Sequence, residues 1–506
     1  MTKAHREVER KLRVPGDFTI PPLAEAVPSL ASAELEAPFT MRNTYFDTAD
    51  LRLFRWGVTL RRRQGGPDEG WHMKLPVEGA DGTTRDEVRL PVEGDAVPRE
   101  FQALVTALVR GAPLGPIATL RAERRPQLLR DQSGTIVAEL VDDTVTVLDG
   151  EREVTTFREI EVEAVTDPGA DVDMSVLDEV VGTLIGLGAE PGGLSKAAAA
   201  LGPRTLAPPD VPEPTWPSAA DAAGDAVRAY LATHVRRFLL QDVRVRRGLP
   251  DSVHQLRVAA RRLRSGLQSY RALVDREWAQ HLRTELAWAA SGLGLARDTE
   301  VLRERLHAGA DALPPEDRAR ASAVVDAALA ECERDAEAMV AETMGSERYL
   351  ALLEALVAAA RDPLLSAEAS EPCDKALPRL VRKAFRRLAK DVEALQPDAP
   401  SEQWHETRIA GKKARYAADA AAPVLRDRVT PLAQQLSRVT DVLGSHQDAH
   451  VAQSTVREIA DAADGVDAFA LGLLYDQEVE AEMAARSEFL ALWPEVLRTA
   501  QRSRLA

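Results

Sequence analysis

The sequence predicts an α+β domain of antiparallel strands followed by an all-α helical bundle with an internal duplication. Three observations carry this. Residues 1–201 run in short alternating segments broken by GGPDEG, EGADGTT, LRDQSGT and VLDGERE, the turn-punctuated texture of an antiparallel barrel or sandwich. Residues 202–217, GPRTLAPPDVPEPTWP, place six prolines in sixteen positions, which removes backbone donors and stiffens the chain into a semi-rigid spacer. Residues 218–506 turn to Ala, Leu, Arg and Glu at helical period, the pattern of a bundle.

Composition narrows the function. A chain of 506 residues exceeds one ordinary core, so two or more domains are expected. The net charge of −16 argues against general nucleic-acid binding, which needs a positive field. No long uncharged apolar run is available to span a bilayer, and the first residues lack the apolar region of a signal peptide. Cys332 and Cys373 form no metal-ligand spacing and suit a reducing cytoplasm.

The first strand, HREVERKLRV, puts Glu7, Glu9 and Lys11 on one face. The pattern recurs in chain order. Thr59, Arg61 and Arg63 alternate in VTLRRR, His72 and Lys74 in WHMKLP, Arg85, Glu87 and Arg89 in TRDEVRL. Arg121, Glu123 and Arg125 follow in LRAERR, Glu139 and Asp143 in VAELVDD, and Glu159, Glu161 and Glu163 in FREIEVE. The opposite positions are often apolar, as at Val8, Leu60, Met73, Val88, Ile160 and Val162. Alternation alone leaves two readings open: an ordinary sheet with a solvated face, or a barrel whose lumen is charged. A charged lumen requires pairing or a ligand. Arginines and lysines beside carboxylates suit a polyanion carrying a divalent metal. Helical stretches interrupt the strands at REFQALVTALVRG and from Ser175 to Leu187. Arg10 and Arg62 fall on the opposite parity from these charges, and if the charged face is a lumen they meet solvent or a domain contact.

Glu7-Val8-Glu9-Arg10-Lys11 matches the ExExK signature of the CYTH family, the triphosphate tunnel metalloenzymes, and the later segments through GGLSKAAAAL follow in order. Residues 3–201 resemble that family. The resemblance implies an eight-stranded antiparallel tunnel for a triphosphate-type substrate with Mg²⁺ or Mn²⁺. By position, Glu7, Glu9 and Lys11 would be catalytic. Arg61, Arg63, Lys74, Arg85, Arg121, Arg125 and Lys196 would bind phosphate, with Arg124 replacing Arg125 if a bulge intervenes. Glu7, Glu9, Glu139, Asp143, Glu159 and Glu161 would hold metal. No Walker A loop is present.

The helical half repeats itself. VHQLRVAARRLRSGLQSY at 253–270 matches WHETRIAGKKARYAADA at 404–420, and LGLARDTEV at 293–301 matches LGSHQDAHV at 443–451 as a related turn segment. A basic helix precedes each copy, with Arg236 and Arg237 before the first and Arg386, Arg387 and Lys390 before the second. His254, Arg257, Arg261 and Arg264 form one helical stripe, and His405, Arg408, Lys412 and Arg415 repeat its spacing. Bare like-charge stripes are destabilising unless they meet an anion. Asp298 and Asp448 would brace them. Tyr270 and Tyr416 either flank the stripes or lie in the core.

This half resembles the CHAD family, the conserved histidine α-helical domain, over about 218–500, on HxxRVxxRRLRSxL and HxxRxxxKKxRY. The resemblance implies inorganic polyphosphate binding in a basic groove between two helical halves. Arg236, Arg237, Arg386 and both stripes are then the expected contacts. The joint expectation is a CYTH domain (1–201), a linker (202–217) and a CHAD domain (218–506). The protein would be an inorganic triphosphatase in the cytoplasm that binds polyphosphate and associates with its granules, without membrane or specific nucleic-acid partners. The alternatives are a non-catalytic polyphosphate-binding protein and a class IV-type adenylyl cyclase.

Overall fold

A computed structural model describes residues 4–77, 84–92, 94–165, 174–192 and 195–506. Residues 78–83 of the EGADGTT turn and Gly193 and Leu194 of the GGLSK segment lie outside them. The chain forms two compact units, Met1–Asp210 and Val211–Ala506.

The first unit is built on strands β1 (Ala4–Val14), β2 (Leu30–Leu35), β3 (Phe39–Asp47), β4 (Thr59–Gln64), β5 (Gly70–Pro76), β6 (Thr84–Leu90), β7 (Gly115–Asp131), β8 (Ile136–Asp149), β9 (Arg152–Ala164) and β10 (Glu190–Pro191). Helices α1 (Leu23–Ala26), α2 (Arg52–Arg55), α3 (Arg99–Leu104), α4 (Thr106–Val109), α5 (Met174–Gly186) and α6 (Lys196–Leu201) surround them. The antiparallel order β1-β6-β5-β4-β3-β7-β8-β9 returns to β1, closing an eight-stranded barrel. Closure leaves no unpaired edge among those eight strands.

The barrel is inverted relative to an ordinary core. On β1 the apolar alternates Val8 and Leu12 point outward, where they meet Leu140, Ile160 and Val162 beneath Val176, Leu177, Val180 and Leu184 of α5. Packing that outer face under a helix turns the other parity, with its charges, into the lumen. Arg10 accordingly lies outside, 3.6 Å from Asp178 of α5, and Arg62 pairs with Asp95.

The predicted turns join β4 to β5, β7 to β8 and β8 to β9. In the second of these, Asp131 Oδ1 accepts from the Ser133 and Thr135 amides at 2.8 and 3.0 Å, an Asx-type turn.

The proline-rich segment is anchored rather than free. Gly202–Leu206 forms a 3₁₀ turn, Arg204 donates to the Ala49 carbonyl at 2.8 Å, and Trp56 Nε1 donates to Asp210 at 2.9 Å. Beyond the division between the units, Arg236 donates to the Val211 carbonyl at 2.5 Å.

The second unit holds α7 (Ala223–Arg246), α8 (Ser252–Ser269), α9 (Arg276–Gly292), α10 (Gly294–Asp311), α11 (Pro315–Gly345), α12 (Glu347–Arg361), α13 (Cys373–Glu393), α14 (Ser401–Leu425), α15 (Thr430–Ala462) and α16 (Gly465–Arg502). The duplication is visible in the backbone. Ala222 and Pro372, which precede the equivalent helices α7 and α13, bridge each other antiparallel, a pairing that a pseudo-twofold relation would give. The segments at 293–301 and 443–451, expected to be turns, are helical. The first spans the junction of α9 and α10, and the second runs uninterrupted within α15. Leu and Gly followed by an acid mimics a turn signal, but the flanking apolar period continues through it and tertiary packing prevails.

Tyr270 and Tyr416 are core residues, 2% and 8% exposed. Tyr270 donates to the Ala420 carbonyl at 2.7 Å, tying α8 to α14. At Gly266 of α8 a Cβ would stand 2.1 Å from the Tyr230 ring, and the Tyr230 hydroxyl is fixed by donating to the Arg262 carbonyl at 2.8 Å. Gly266→Ala should therefore cost about 1–3 kcal/mol by overpacking, outweighing the roughly 1 kcal/mol of helix propensity gained. Denaturant unfolding followed by helical circular dichroism reads this, and an unchanged or raised midpoint would contradict it.

Candidate functional site

Register carries each charged side chain into the barrel. Arg61 of β4 sits opposite Tyr45 of β3, Arg63 opposite Asn43, and Asn43 opposite Leu120 of β7. The same ladder sets Phe39, Arg124, Asp143 and Glu159 side by side across β3, β7, β8 and β9. Glu9, Glu163 and Glu139 form a parallel row across β1, β9 and β8, with Lys11 beside Glu161 in the next.

The lumen holds a cavity of about 610 Å³. Seven carboxylates and seven basic groups line it, and the buried Glu87, Asp143 and Glu159 stand behind the lining. The acids concentrate on β1, β8 and β9, and the arginines on β4, β6 and β7.

Two ammonium groups hold the acid wall together. Lys11 Nζ lies 3.1 Å from Glu9 and 3.0 Å from Glu161. Lys196 Nζ meets Asp143 at 2.9 Å, Glu159 at 2.6 Å and Glu161 at 2.9 Å. Lys196 opens α6, whose Ala197 packs with Met41, Tyr45, Leu120 and Val145. The Ser195 hydroxyl caps α6 by accepting from the Ala198 amide at 3.2 Å.

These pairings set the protonation states. Burial opposes charge on Glu161, but Lys11, Lys196 and Arg124 outweigh it and hold the carboxyl well below its usual range. Burial is likewise overcome at Asp143 by Lys196 and Arg124, and at Glu9 by Lys74 and Lys11. Glu7 and Glu159 are raised, by burial first and then by Glu87 and Glu161 respectively. Glu163 is pushed up to about 8 by burial and by the neighbouring Glu7, Glu9 and Glu161.

On the opposite wall Lys74 pairs with Glu7, Arg61 lies 3.3 Å from Glu87, and Arg124 chelates Asp143 at 2.7 and 2.9 Å. Arg63 donates to Asn43 at 3.1 Å and pairs with Asp68. Burial and then Arg61 push Arg63 down to about 10, a cation short of negative charge. Arg61 Nε is buried with no hydrogen-bond partner among the described residues.

Three expected phosphate contacts fall elsewhere. Arg121 and Arg125 lie on the outer parity of β7, with Arg121 2.5 Å from Glu153. The ladder from β3 turns Leu120, Ala122 and Arg124 inward instead, so Arg124 takes the place expected of Arg125. Arg85 is hydrogen-bonded to the Gly57 carbonyl and does not line the cavity. Glu36, Asp68, Arg89 and Glu163 line it without having been assigned. Parity could have found Arg89 and Glu163; Glu36 and Asp68 sit in connections that carry no period.

Among the described residues no three His, Cys, Asp or Glu side chains form a ready metal cage. The donor chemistry nevertheless fits a hard divalent cation. The carboxylates outnumber the bases once the buried acids are included, and three of them converge on the Lys196 ammonium as they would on a metal.

In the helical unit the two stripes meet where α8 packs on α14. Lys412 is pushed down to about 8, by burial first and then by Arg408 and Arg261, with Asp448 opposing. Arg408 is lowered by burial and by Arg261, and its Nε is buried with no hydrogen-bond partner among the described residues. Three cations thus converge with too few anions. The stripe ends are braced: Arg257 donates to Asp298 at 3.0 Å, Arg415 to Thr440 at 2.7 Å, and His405 faces Gln447 at 2.5 Å. Arg237 borders this surface, donating to Gln255 at 2.6 Å. Arg236 instead turns to Val211 and Glu213, and Arg386 to the Ala506 carbonyl at 3.5 Å.

The comparisons agree with this architecture. A CYTH domain family model matches residues 5–175, and a CHAD domain model matches residues 229–457. An uncharacterized protein, MT2285, of Mycobacterium tuberculosis (strain CDC 1551 / Oshkosh) is 33% identical over 96% of this chain and 95% of its own. PptA from Streptomyces chartreusis is 26% identical over 54% of this chain and 100% of its own, with a TM-score of 0.47. A Hippeastrum protein, HpAC1, described as a putative adenylyl cyclase with a dominant triphosphatase activity, is 20% identical over 38% of this chain and 94% of its own, with a TM-score of 0.25. The chain belongs to the CYTH and CHAD families, one domain of each in that order. The CYTH family includes triphosphatases. Among the described residues no helix is long and apolar enough to cross a membrane.

Lys196 offers a direct test of the lumen. Lys196→Met strips three buried carboxylates of a shared partner and should cost roughly 3 kcal/mol at neutral pH. Asp143 and Glu161 have depressed pKa values, so the stability they gain is present above the unfolded range near 4 and lost as pH falls. Thermal unfolding should therefore show a large deficit for the variant at pH 7 that shrinks below about pH 4. A deficit independent of pH would contradict the pairing.

Proposed function

We propose that the barrel hydrolyses inorganic triphosphate or a related linear phosphate, and that the helical unit binds inorganic polyphosphate. The observation that carries the first part is the division of one cavity into an acid wall and an arginine-rich wall. Arg61, Arg63, Lys74 and Arg124 would grip phosphate oxygens, and Arg61 and Arg63 have donors or charge to spare. Glu7, Glu9, Glu159 and Glu161, with Glu139 and Asp143, would hold Mg²⁺ or Mn²⁺. When bound, the ion would supply neutralisation of phosphate charge and Lewis acidity.

The side chains account for the remaining chemistry. Water attacks the terminal phosphorus and loses its proton to a carboxylate kept ionised, of which Glu9 and Glu161 are the candidates. The bond to the bridging oxygen breaks, and its electron pair passes to the leaving pyrophosphate, stabilised by the arginine wall. Lys11 and Lys196 would move from carboxylate to phosphate contacts as substrate enters.

The second part rests on the convergence of Arg261, Arg408 and Lys412, which an extended polyanion would neutralise. A cytoplasmic location and association with polyphosphate granules follow from that reading.

Purified protein should release orthophosphate from tripolyphosphate with Mg²⁺ or Mn²⁺ and lose that activity with a chelator. Glu9→Gln should lower turnover at least about 100-fold while polyphosphate retention persists. Cyclic AMP from ATP without phosphate release would establish the cyclase instead, and polyphosphate retention with no turnover would leave a binding protein.

Polyphosphate affinity should change little between about pH 7 and 8. Above that range, affinity should fall, because Lys412 must regain a proton to bind the anion, by at most about tenfold per pH unit. Lys412→Met should weaken binding and flatten this profile; a slope that survives the substitution would assign the titration elsewhere.

A further inference from the structure

The α8 stripe does not stop at Arg264. Its alternating spacing of three and four continues through Gln268 to Arg271, just beyond the helix end. In the second copy the equivalent positions are Asp419 and Ala422. Asp419 lies 3.7 Å from Arg415 and also pairs with Arg262 of α8. Positive charge therefore ends at Arg415 in one copy and runs on in the other. The backbone is pseudo-symmetric and the electrostatics are not.

The longer stripe leads into a separate cavity of about 430 Å³ between the end of α8, α13 and α14. Its rim carries Arg271, Lys383, Arg387 and Lys413, over a floor of Leu380 and four alanines. Arg387 also pairs with Asp391 at 3.1 Å, but no carboxylate lines the cavity among the described residues. Lys413 is about 100° around α14 from Lys412, so this is not the stripe crossing seen from another side.

Arg283 of α9 links the two places. Its pKa is lowered by burial first, then by Arg264 and Arg271. Its Nε is buried with no hydrogen-bond partner among the described residues. A run of cations thus connects the crossing to the cavity.

We propose that a linear phosphate chain leaves the crossing in one direction only, along α8 past Arg264 and Arg283, and seats its end in the cavity rimmed by Arg271, Lys383, Arg387 and Lys413. This rests on the polyphosphate reading of the helical unit. A chain terminus suits the cavity because a terminal phosphate carries a second ionisable oxygen near neutral pH, whereas an interior one does not. Arg271 lies about 15 Å along the helix from Arg261, so only a chain longer than the crossing reaches it.

The test compares the full-length protein with a Lys383→Ala/Lys413→Ala variant, using tripolyphosphate and polyphosphate of several tens of phosphates as probes. Both lysines are exposed, and an unchanged melting temperature verifies folding. The barrel is the same in both proteins, so any difference between them reports the helical unit. The variant should bind tripolyphosphate as the parent does and the long chain about tenfold more weakly. A photoreactive group on the chain end should label α13 in the parent and not the equivalent α7. Equal loss at both lengths, no loss, or equal labelling of α7 and α13 would overturn the one-way track. If the parent itself does not bind polyphosphate, the reading of the helical unit fails with it. If the parent binds and the variant behaves identically, only the track fails.

Discussion

The barrel depends on its lumen being neutralised from within. Closing eight strands removes their edges and encloses whatever their inner faces carry, here carboxylates drawn from β1, β8 and β9. Buried carboxylates cannot stay ionised without partners. Lys11 and Lys196 serve five such contacts between them, and Glu161 is held by both. Where the ammonium groups do not reach, burial wins, and Glu163 titrates near 8. A protein evolved only for stability would fill this space with apolar side chains, which often serve as well as or better than buried ion pairs. The polar filling is what the proposed phosphate and metal would use.

The helical unit treats charge in the opposite way. The barrel matches acids to bases, whereas the α8–α14 crossing gathers Arg261, Arg408 and Lys412 against little more than Asp448. The fold supports this because Ala and Leu positions on the same helices bury the other faces, as with Leu256, Ala260 and Leu263 on α8. Tyr270, between the halves, and Tyr230, within the first, add hydrogen bonds independent of the surface charge. Stabilising burial and weakly opposed positive charge thus sit on different faces of the same helices.

Much of this was readable from residue order. Period two showed which residues of β1, β4, β5 and β9 share one charged face, the resemblance rather than the alternation turned that face inward, and the repeated stripe spacing exposed the duplication. β7 resisted because arginines occupy both parities of LRAERR, and only the ladder through Asn43 and Leu120 decides which face is inward. Lys196 reaches the lumen from a helix, so strand alternation could not have found it; its place came from resemblance alone. Glu36 and Asp68 enter from connections, where side-chain direction depends on backbone geometry that no pattern encodes. Arg236 and Arg386 were assigned from charge alone, and a basic residue on a helix has no preferred partner until the neighbouring helices are placed.

The two kinds of site imply different physical regimes for phosphate. In the lumen, charges lie within about 3 Å of their partners and are poorly screened, so occupancy there depends on exchanging one set of close pairs for another. A phosphate chain entering alone would displace Lys11 and Lys196 from their carboxylates and leave those acids unpaired, which makes co-entry of a divalent cation the balanced exchange. At the helical crossing Arg261, Arg408 and Lys412 have little beyond Asp448 opposing them, so an anion gains contacts there while displacing few, and salt competes directly for the same positions. On the proposed function the barrel would take a defined, metal-laden phosphate, and the helices a long one held by the number of its charges rather than by the geometry of any single phosphate.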